Sequence, residues 1–243
     1  MMEYCEFEAL FQRSLKQNGL ELPEKAVVEQ FYAFDAFLHE TNAVTNLTAI
    51  RNTPEAISKH YVDSLLAAKH LPQGARVLDI GCGPGFPSIP LAIARPDLKV
   101  IALDSTAKKI TFVSEAAKKI GLTNLTAISG RAEDKTIMQN LRQFDVVVSR
   151  AVARMNVLCE LCLPYVKIGG FLLAMKASKA EEETTEALNC IKTLGGGEPE
   201  FFHCGLMHLD EAVDPRCLIK VEKKAAHPKG YPRAYAQIAK KPL

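Results

Sequence analysis

The segment Arg76-Val77-Leu78-Asp79-Ile80 is short and apolar and runs directly into Gly81-Cys82-Gly83-Pro84-Gly85. A brief apolar run bounded by glycines predicts a buried strand. Glycines immediately after a strand predict a tight turn whose backbone can lie against a ligand. With a helix expected over Ser88 to Arg95, this is the strand–loop–helix opening of an α/β sheet. The spacing narrows the ligand. A dinucleotide-binding loop needs a third glycine at position 86, which is Phe86. A phosphate loop needs a Gly-Lys-Ser/Thr ending, and the loop has none.

The chain downstream repeats the alternation. Strands are expected at Val100 to Asp104, Leu125 to Ser129, Phe144 to Ser149 and Phe171 to Met175, with a helix over Lys108 to Ile120. Strands separated by helical stretches predict a mostly parallel sheet with helices on both faces. Phe201 to Leu209 and Cys217 to Lys224 read as a closing antiparallel pair. Upstream, Phe7, Leu10, Phe11 and Leu15 recur at helical spacing, with Gly19 as the stop. Pro23 suits a first helical turn, followed by the stripe Val27, Phe31, Phe34 and Leu38. Asn42 to Arg51 reads as a loop, and Pro54 to about Lys69 as a further helix. The expected organisation is therefore a helical extension over residues 1–72 and an α/β domain over 73–243.

No run of about 18 apolar residues exists, so a membrane span is not expected. Met1 to Glu6 lacks the apolar core of a secretory leader. Seven scattered cysteines fit free thiols in a reducing cytoplasm. Net charge is only +2, but it is unevenly spread. Residues 181–214 hold nine acidic side chains and one lysine, whereas 214–243 hold eight basic and two acidic. Such a tail is either a footprint for a phosphate backbone or a solvated terminus.

Gly-x-Gly-x-Gly after an acid at position 79 resembles the first motif of the class I methyltransferases, a Rossmann-like fold that binds S-adenosyl-L-methionine. Asp104 ends the second strand, 19 residues beyond Gly85, where a carboxylate can accept hydrogen bonds from ribose hydroxyls; the bland alternative is a helix cap beside Ser105 and Thr106. After the third strand, the backbone of Ala132 and the carboxylate of Glu133 are expected to contact the adenine. The fourth strand ends in Ser149-Arg150-Ala151-Val152, without the Asn-Pro-Pro-Tyr pattern expected for an exocyclic amine. Cys159 and Cys162 read as core residues, with no second pair to make a zinc site, and no metal is expected. Arg150 at this strand end can meet a phosphate or the face of a base, or form a plain ion pair. No obvious base is present. That fits an acceptor that has no proton to lose, such as guanine N7.

Asn46-Leu47-Thr48-Ala49-Ile50, His60-Tyr61-Val62-Asp63-Ser64-Leu65, Asp79 to Pro90, Leu103-Asp104-Ser105, Phe144 to Ala151 and Tyr231-Pro232-Arg233 resemble the RsmG (GidB) family over nearly the whole chain. The resemblance implies methylation of a guanine N7 in the decoding region of bacterial 16S rRNA. It also implies a cofactor site built from Gly81, Phe86, Asp104, Ser105, Thr106, Ala132, Glu133 and Arg150. That places Arg150 closer to the cofactor than its position at the strand end suggests. Gly83 and Gly85 complete the loop. Ala234 to Ile238 replace the family's usual Gly and Pro after Pro-Arg, and Ala177 replaces a common Gly.

An RNA target requires an unpaired or flipped guanine, because the N7 edge lies in the narrow major groove of A-form RNA. Asn46, His60, Asp63, Lys176, Arg233, Lys240 and Lys241 are the expected RNA-facing residues, with His60 and Asp63 on one helical face. Their alternative role is to buttress the N-terminal helices. The expected partner is 16S rRNA or the small ribosomal subunit, met by a cytoplasmic monomer. Two rivals are a small-molecule methyltransferase, which would show no salt-sensitive RNA binding, and a non-catalytic RNA-binding protein, which would not bind the cofactor.

Overall fold

Residues 2–20, 24–141, 143–150 and 152–243 are described by the computed structural model. Helix α1 (Tyr4–Gln17) buries Phe7, Phe11 and Leu15, and Gly19 follows it with φ +63°. Pro23 lies outside the described residues. Helix α2 (Lys25–Thr45) buries Val28, Phe31, Phe34 and Leu38. It runs past Asn42, where a loop was expected. The Asn42 side chain makes the loop's hydrogen bonds from within the helix: its amide donates to the carbonyls of Thr48 and Ile50, and its oxygen accepts from the N–H groups of Leu47 and Thr48. The expected helix from Pro54 is helical but not uniform. The Asn52 side chain caps α3 (Thr53–Ala56), which passes into a π-helical segment at Ile57–Val62 and then α4 (Asp63–Leu65).

The seven strands are β1 (Arg76–Ile80), β2 (Lys99–Asp104), β3 (Leu125–Ser129), β4 (Phe144–Arg150), β5 (Val166–Lys176), β6 (Glu200–Met207) and β7 (Val213–Glu222). Their spatial order is β3-β2-β1-β4-β5-β7-β6. Pairing is parallel from β3 through β5, while β7 runs antiparallel to both β5 and β6. The order in which the chain adds strands reverses between the parallel neighbours β1 and β4, so the crevice beyond their carboxyl ends is where a ligand belongs in such a sheet.

Both faces are covered, which is why the central strands read as continuous apolar runs. On one face α5 (Ser88–Ala94) and α6 (Ala107–Lys119) meet Val77, Val100, Ala102 and Val148. On the other, α7 (Lys135–Asn140), α8 (Met155–Cys162) and α9 (Ala180–Thr193) pack over Leu78, Val147, Leu172 and Ile219. The chain closes with α10 (Tyr235–Lys240) against α8. One apolar cluster crosses residue 72: Phe31, Phe34 and Tyr61 of the N-terminal helices pack with Phe86, Ile89 and Phe112. Cys159 and Cys162 are fully buried, as expected of core thiols.

Candidate active site

The glycine loop is fixed from two sides. The N–H groups of Gly81 and Cys82 donate to the Leu103 carbonyl at 2.8 and 3.2 Å, tying the loop to the end of β2. Gly81 has φ +76°, and a Cβ there would lie 2.3 Å from a Val152 methyl, so only glycine fits. Asp104 then joins loop and strand: one carboxylate oxygen accepts from Gly83 N–H at 2.9 Å, the other from Thr106 N–H at 2.8 Å. These bonds leave each oxygen with a free lone pair. Asp104, Ser105, Thr106, Ala132 and Glu133 border a cavity of about 400 Å³ together with Gly81 and Gly83. The Ala132 carbonyl is occupied by the Tyr165 hydroxyl at 2.6 Å, and Glu133 by the Arg131 guanidinium at 2.6 Å. A half-buried carboxylate with spare acceptor capacity beside a side-chain-free loop fits the ribose end of S-adenosyl-L-methionine.

Gly81, Gly83 and Val152 also border a second cavity, of about 590 Å³. Phe86 and Arg150 border only this one, with His60, Asp63 and Arg216. Phe86 is buried, and the His60 ring stacks on it with centroids 4.2 Å apart. The Arg150 guanidinium also lies over the Phe86 ring, at 5.3 Å. It donates to the Lys59 carbonyl at 2.8 Å and to Asp63 at 2.9 Å. Asp63 takes a second guanidinium on its other oxygen, Arg216 Nε at 2.7 Å. Position 86 thus carries a side chain because it anchors the π-helical segment to the loop.

The state of His60 follows from its neighbours. Arg150 Nη2 lies 3.2 Å from Nδ1 and can only donate, so Nδ1 accepts. Nε2 then carries the proton and donates to Thr48 Oγ1 at 2.9 Å. Burial, and then the Arg150 charge, push the His60 pKa down to about 3, so the ring is neutral at physiological pH. Asp79 behaves oppositely. It is fully buried under the loop, accepts from the Ser88 N–H and hydroxyl on one oxygen, and has no partner for Oδ1 among the described residues. Burial raises its pKa to about 7.

The remaining expected residues are placed as follows. Gly85 borders neither cavity; a Cβ there would lie 2.5 Å from Ile89, so it serves helix packing. Asn46 is the left-handed cap of α2, φ +50°, and holds Arg51 at 2.8 Å. Lys176 borders the larger cavity but is paired with Glu183 at 2.8 Å. Arg233 is not free for RNA, because its guanidinium neutralises Glu160, which is completely buried. Lys240 and Lys241 are exposed at the end of α10. The cavity residues that sequence reasoning missed include Arg216 and Tyr235. No group of three or more metal-binding side chains, and no helix long and apolar enough to cross a membrane, occurs among the described residues.

Residues 27–208 match the GidB family, described as rRNA small subunit methyltransferase G. This chain belongs to that family. It is 40% identical to ribosomal RNA small subunit methyltransferase G of Clostridium beijerinckii, over 98% of this chain and 99% of the relative. Against the protein of the same name from Lachnoclostridium phytofermentans it is 43% identical over 96% of each chain. Among solved structures, an O-methyltransferase from Bacillus cereus in complex with SAH aligns with TM-score 0.56 at 16% identity, over 89% of this chain and all of that one. That likeness shows the class I methyltransferase fold. Within the GidB family fold, the loop bearing Gly81 and Gly83 therefore separates two cavities: one carries the ribose-binding candidate Asp104, the other the paired guanidiniums of Arg150 and Arg216.

Proposed function

We propose that this chain is an S-adenosyl-L-methionine-dependent methyltransferase that acts as a cytoplasmic monomer on N7 of a guanine in the decoding region of 16S rRNA. The observation that carries the reading is the pair of cavities meeting at Gly81 and Gly83. The relatives' shared name, rRNA small subunit methyltransferase, supports the substrate class.

The cofactor supplies an electrophilic methyl group on a sulfonium. Asp104 holds the ribose hydroxyls, and the segment Ala132–Glu133 holds the adenine edge. Phe86 and Val152 give the second cavity part of its apolar lining. Guanine N7 carries a lone pair and no proton, so the protein need only orient the base; no side chain has to remove a proton. His60 suits that task, since a neutral, doubly hydrogen-bonded ring is a fixed surface and not an acid. Arg150 and Arg216, although both are paired with Asp63, bring guanidinium N–H donors to this cavity for the nucleotide's phosphate. Among the expected RNA-facing residues, His60, Asp63 and Lys176 border this cavity, while Lys240 and Lys241 act from α10 on the RNA beyond it.

Mass mapping of 16S rRNA from cells with and without the gene tests the reading. One guanine should lose a monomethyl mark in its absence, and unchanged RNA would overturn the assignment. In purified form, His60→Ala and Lys240→Ala/Lys241→Ala should each methylate small-subunit RNA at least about tenfold more slowly, the cost of losing one positioning contact. Wild-type rates in both would remove these residues from the RNA site.

A further inference from the structure

The chain's last helix is locked onto the sheet close to the cavity that holds Asp104. Ile238 of α10 is completely buried in the cluster that contains Leu158 and Leu161 of α8. Just upstream, Arg233 grips Glu160 of α8 three times: its backbone N–H donates at 2.9 Å, and its guanidinium at 2.8 and 2.6 Å. Between these anchors stands Tyr235. Its side chain borders the same cavity as Asp104, Ala132 and Glu133, yet it is 40% exposed. The Arg131 guanidinium lies 5.3 Å from its ring centroid. That guanidinium is itself held by Glu133. The tyrosine ring is thus set at the cavity's rim by a fixed backbone and a fixed cation, with much of its surface still uncovered.

We propose that Tyr235 is an adenine-binding residue: its ring forms an aromatic wall for the nucleoside end of the cofactor. This rests on the placement of S-adenosyl-L-methionine in the Asp104 cavity. The chemistry is that of a planar apolar face meeting a heteroaromatic ring, which needs the ring and not the hydroxyl. The C-terminal tail, whose charge suits either a phosphate backbone or a solvated terminus, then serves the cofactor.

Titration calorimetry of the full chain with S-adenosyl-L-homocysteine tests this, using Tyr235→Ala, Tyr235→Leu, Tyr235→Phe and Asp104→Ala. Tyr235→Ala and Tyr235→Leu should bind about tenfold more weakly, as for loss of one stacked base, and Tyr235→Phe within about twofold of wild type. The side chain is at the surface, and circular dichroism confirms that each variant is folded before titration. Weakened binding by Asp104→Ala with wild-type binding by Tyr235→Ala overturns the role of Tyr235 and leaves the cofactor site in place. Wild-type binding by Asp104→Ala overturns the placement itself, and the role of Tyr235 with it. A further readout is spectroscopic. The chain has six tyrosines and no tryptophan, so ligand-induced change in tyrosine emission should shrink in Tyr235→Phe. An undiminished change there counts against the contact.

Discussion

A half-buried histidine and a fully buried aspartate flank the glycine loop and oppose each other in pH. His60 has its pKa lowered to about 3, by burial and then by Arg150. Between there and its ordinary value near 6.5, the unfolded chain binds a proton that the folded chain refuses. Stability therefore falls as pH drops through that window, by about 1.4 kcal/mol per pH unit. Asp79, raised to about 7 by burial, holds a proton in the folded chain that the unfolded chain releases. From about pH 4 to about 7 its contribution has the reverse sign, so stability falls as pH rises. Across roughly pH 4.5 to 6.5 the two nearly cancel. His60→Gln should unmask Asp79 and make stability fall as pH rises over this range, relative to wild type. Asp79→Asn should unmask His60 and give the opposite slope. Urea titrations at several pH values read both, and parallel curves for all three proteins would show that neither group titrates abnormally.

At the level of elements, the π-helical segment Ile57–Val62 and the start of α4 present His60 and Asp63 to the end of β4, while β7 brings Arg216 from 153 positions away. Asp63 is 5% exposed and bridges two guanidiniums. Removing it leaves Arg150 with no carboxylate partner among the described residues and Arg216 with only Asp214, at 3.4 Å. Asp63→Ala should cost about 3 kcal/mol, near the low end for breaking a buried pair because both arginines touch solvent. In a chain of this size that lowers the melting midpoint by roughly 6–12 °C. Asp63→Asn, which keeps one acceptor, should lose less. Thermal unfolding measures both, and an unchanged midpoint in Asp63→Ala would show that the clamp contributes nothing net.

This arrangement also explains what sequence could and could not show. The central strands are legible because burial on both faces makes them apolar throughout, and Asp104 is legible because its distance from the loop follows from the strand–helix–strand connection. Helix α9 is hidden, because its buried positions include Ala180, Thr184, Ala187 and Cys190, small or polar residues that make no apolar stripe. Arg216 and Tyr235 are hidden because only the insertion of β7 between β5 and β6, and the docking of α10 on α8, bring them to the cavities. Arg150 shows the limit of reading by strand end: the position next to the loop was legible, but not that Asp63, Lys59 and His60 would occupy its guanidinium.

Over the whole molecule, the basic tail is much weaker than its composition suggests. Of the eight cationic residues after position 214, four are paired with carboxylates: Arg216 with Asp63, Lys220 with Glu200, Lys224 with Glu222 and Arg233 with Glu160. Lys223 is buried, bonded to the Leu194 carbonyl, with its pKa lowered to about 8 by desolvation. Lys229, Lys240 and Lys241 remain exposed, with no carboxylate partner among the described residues. Counterion release counts only charges that meet phosphates, at about 0.7 in log–log slope for each on single-stranded RNA. Lys240→Ala/Lys241→Ala should therefore reduce the salt slope of binding to a 16S rRNA fragment by about 1.4, the value for two lost contacts. Lys220→Ala/Lys224→Ala removes the same formal charge from residues already neutralised by glutamates, and should leave the slope nearly unchanged. Fluorescence anisotropy across a potassium chloride series separates the two outcomes. Equal reductions in both variants would mean that the tail acts through net charge alone and not through its free lysines.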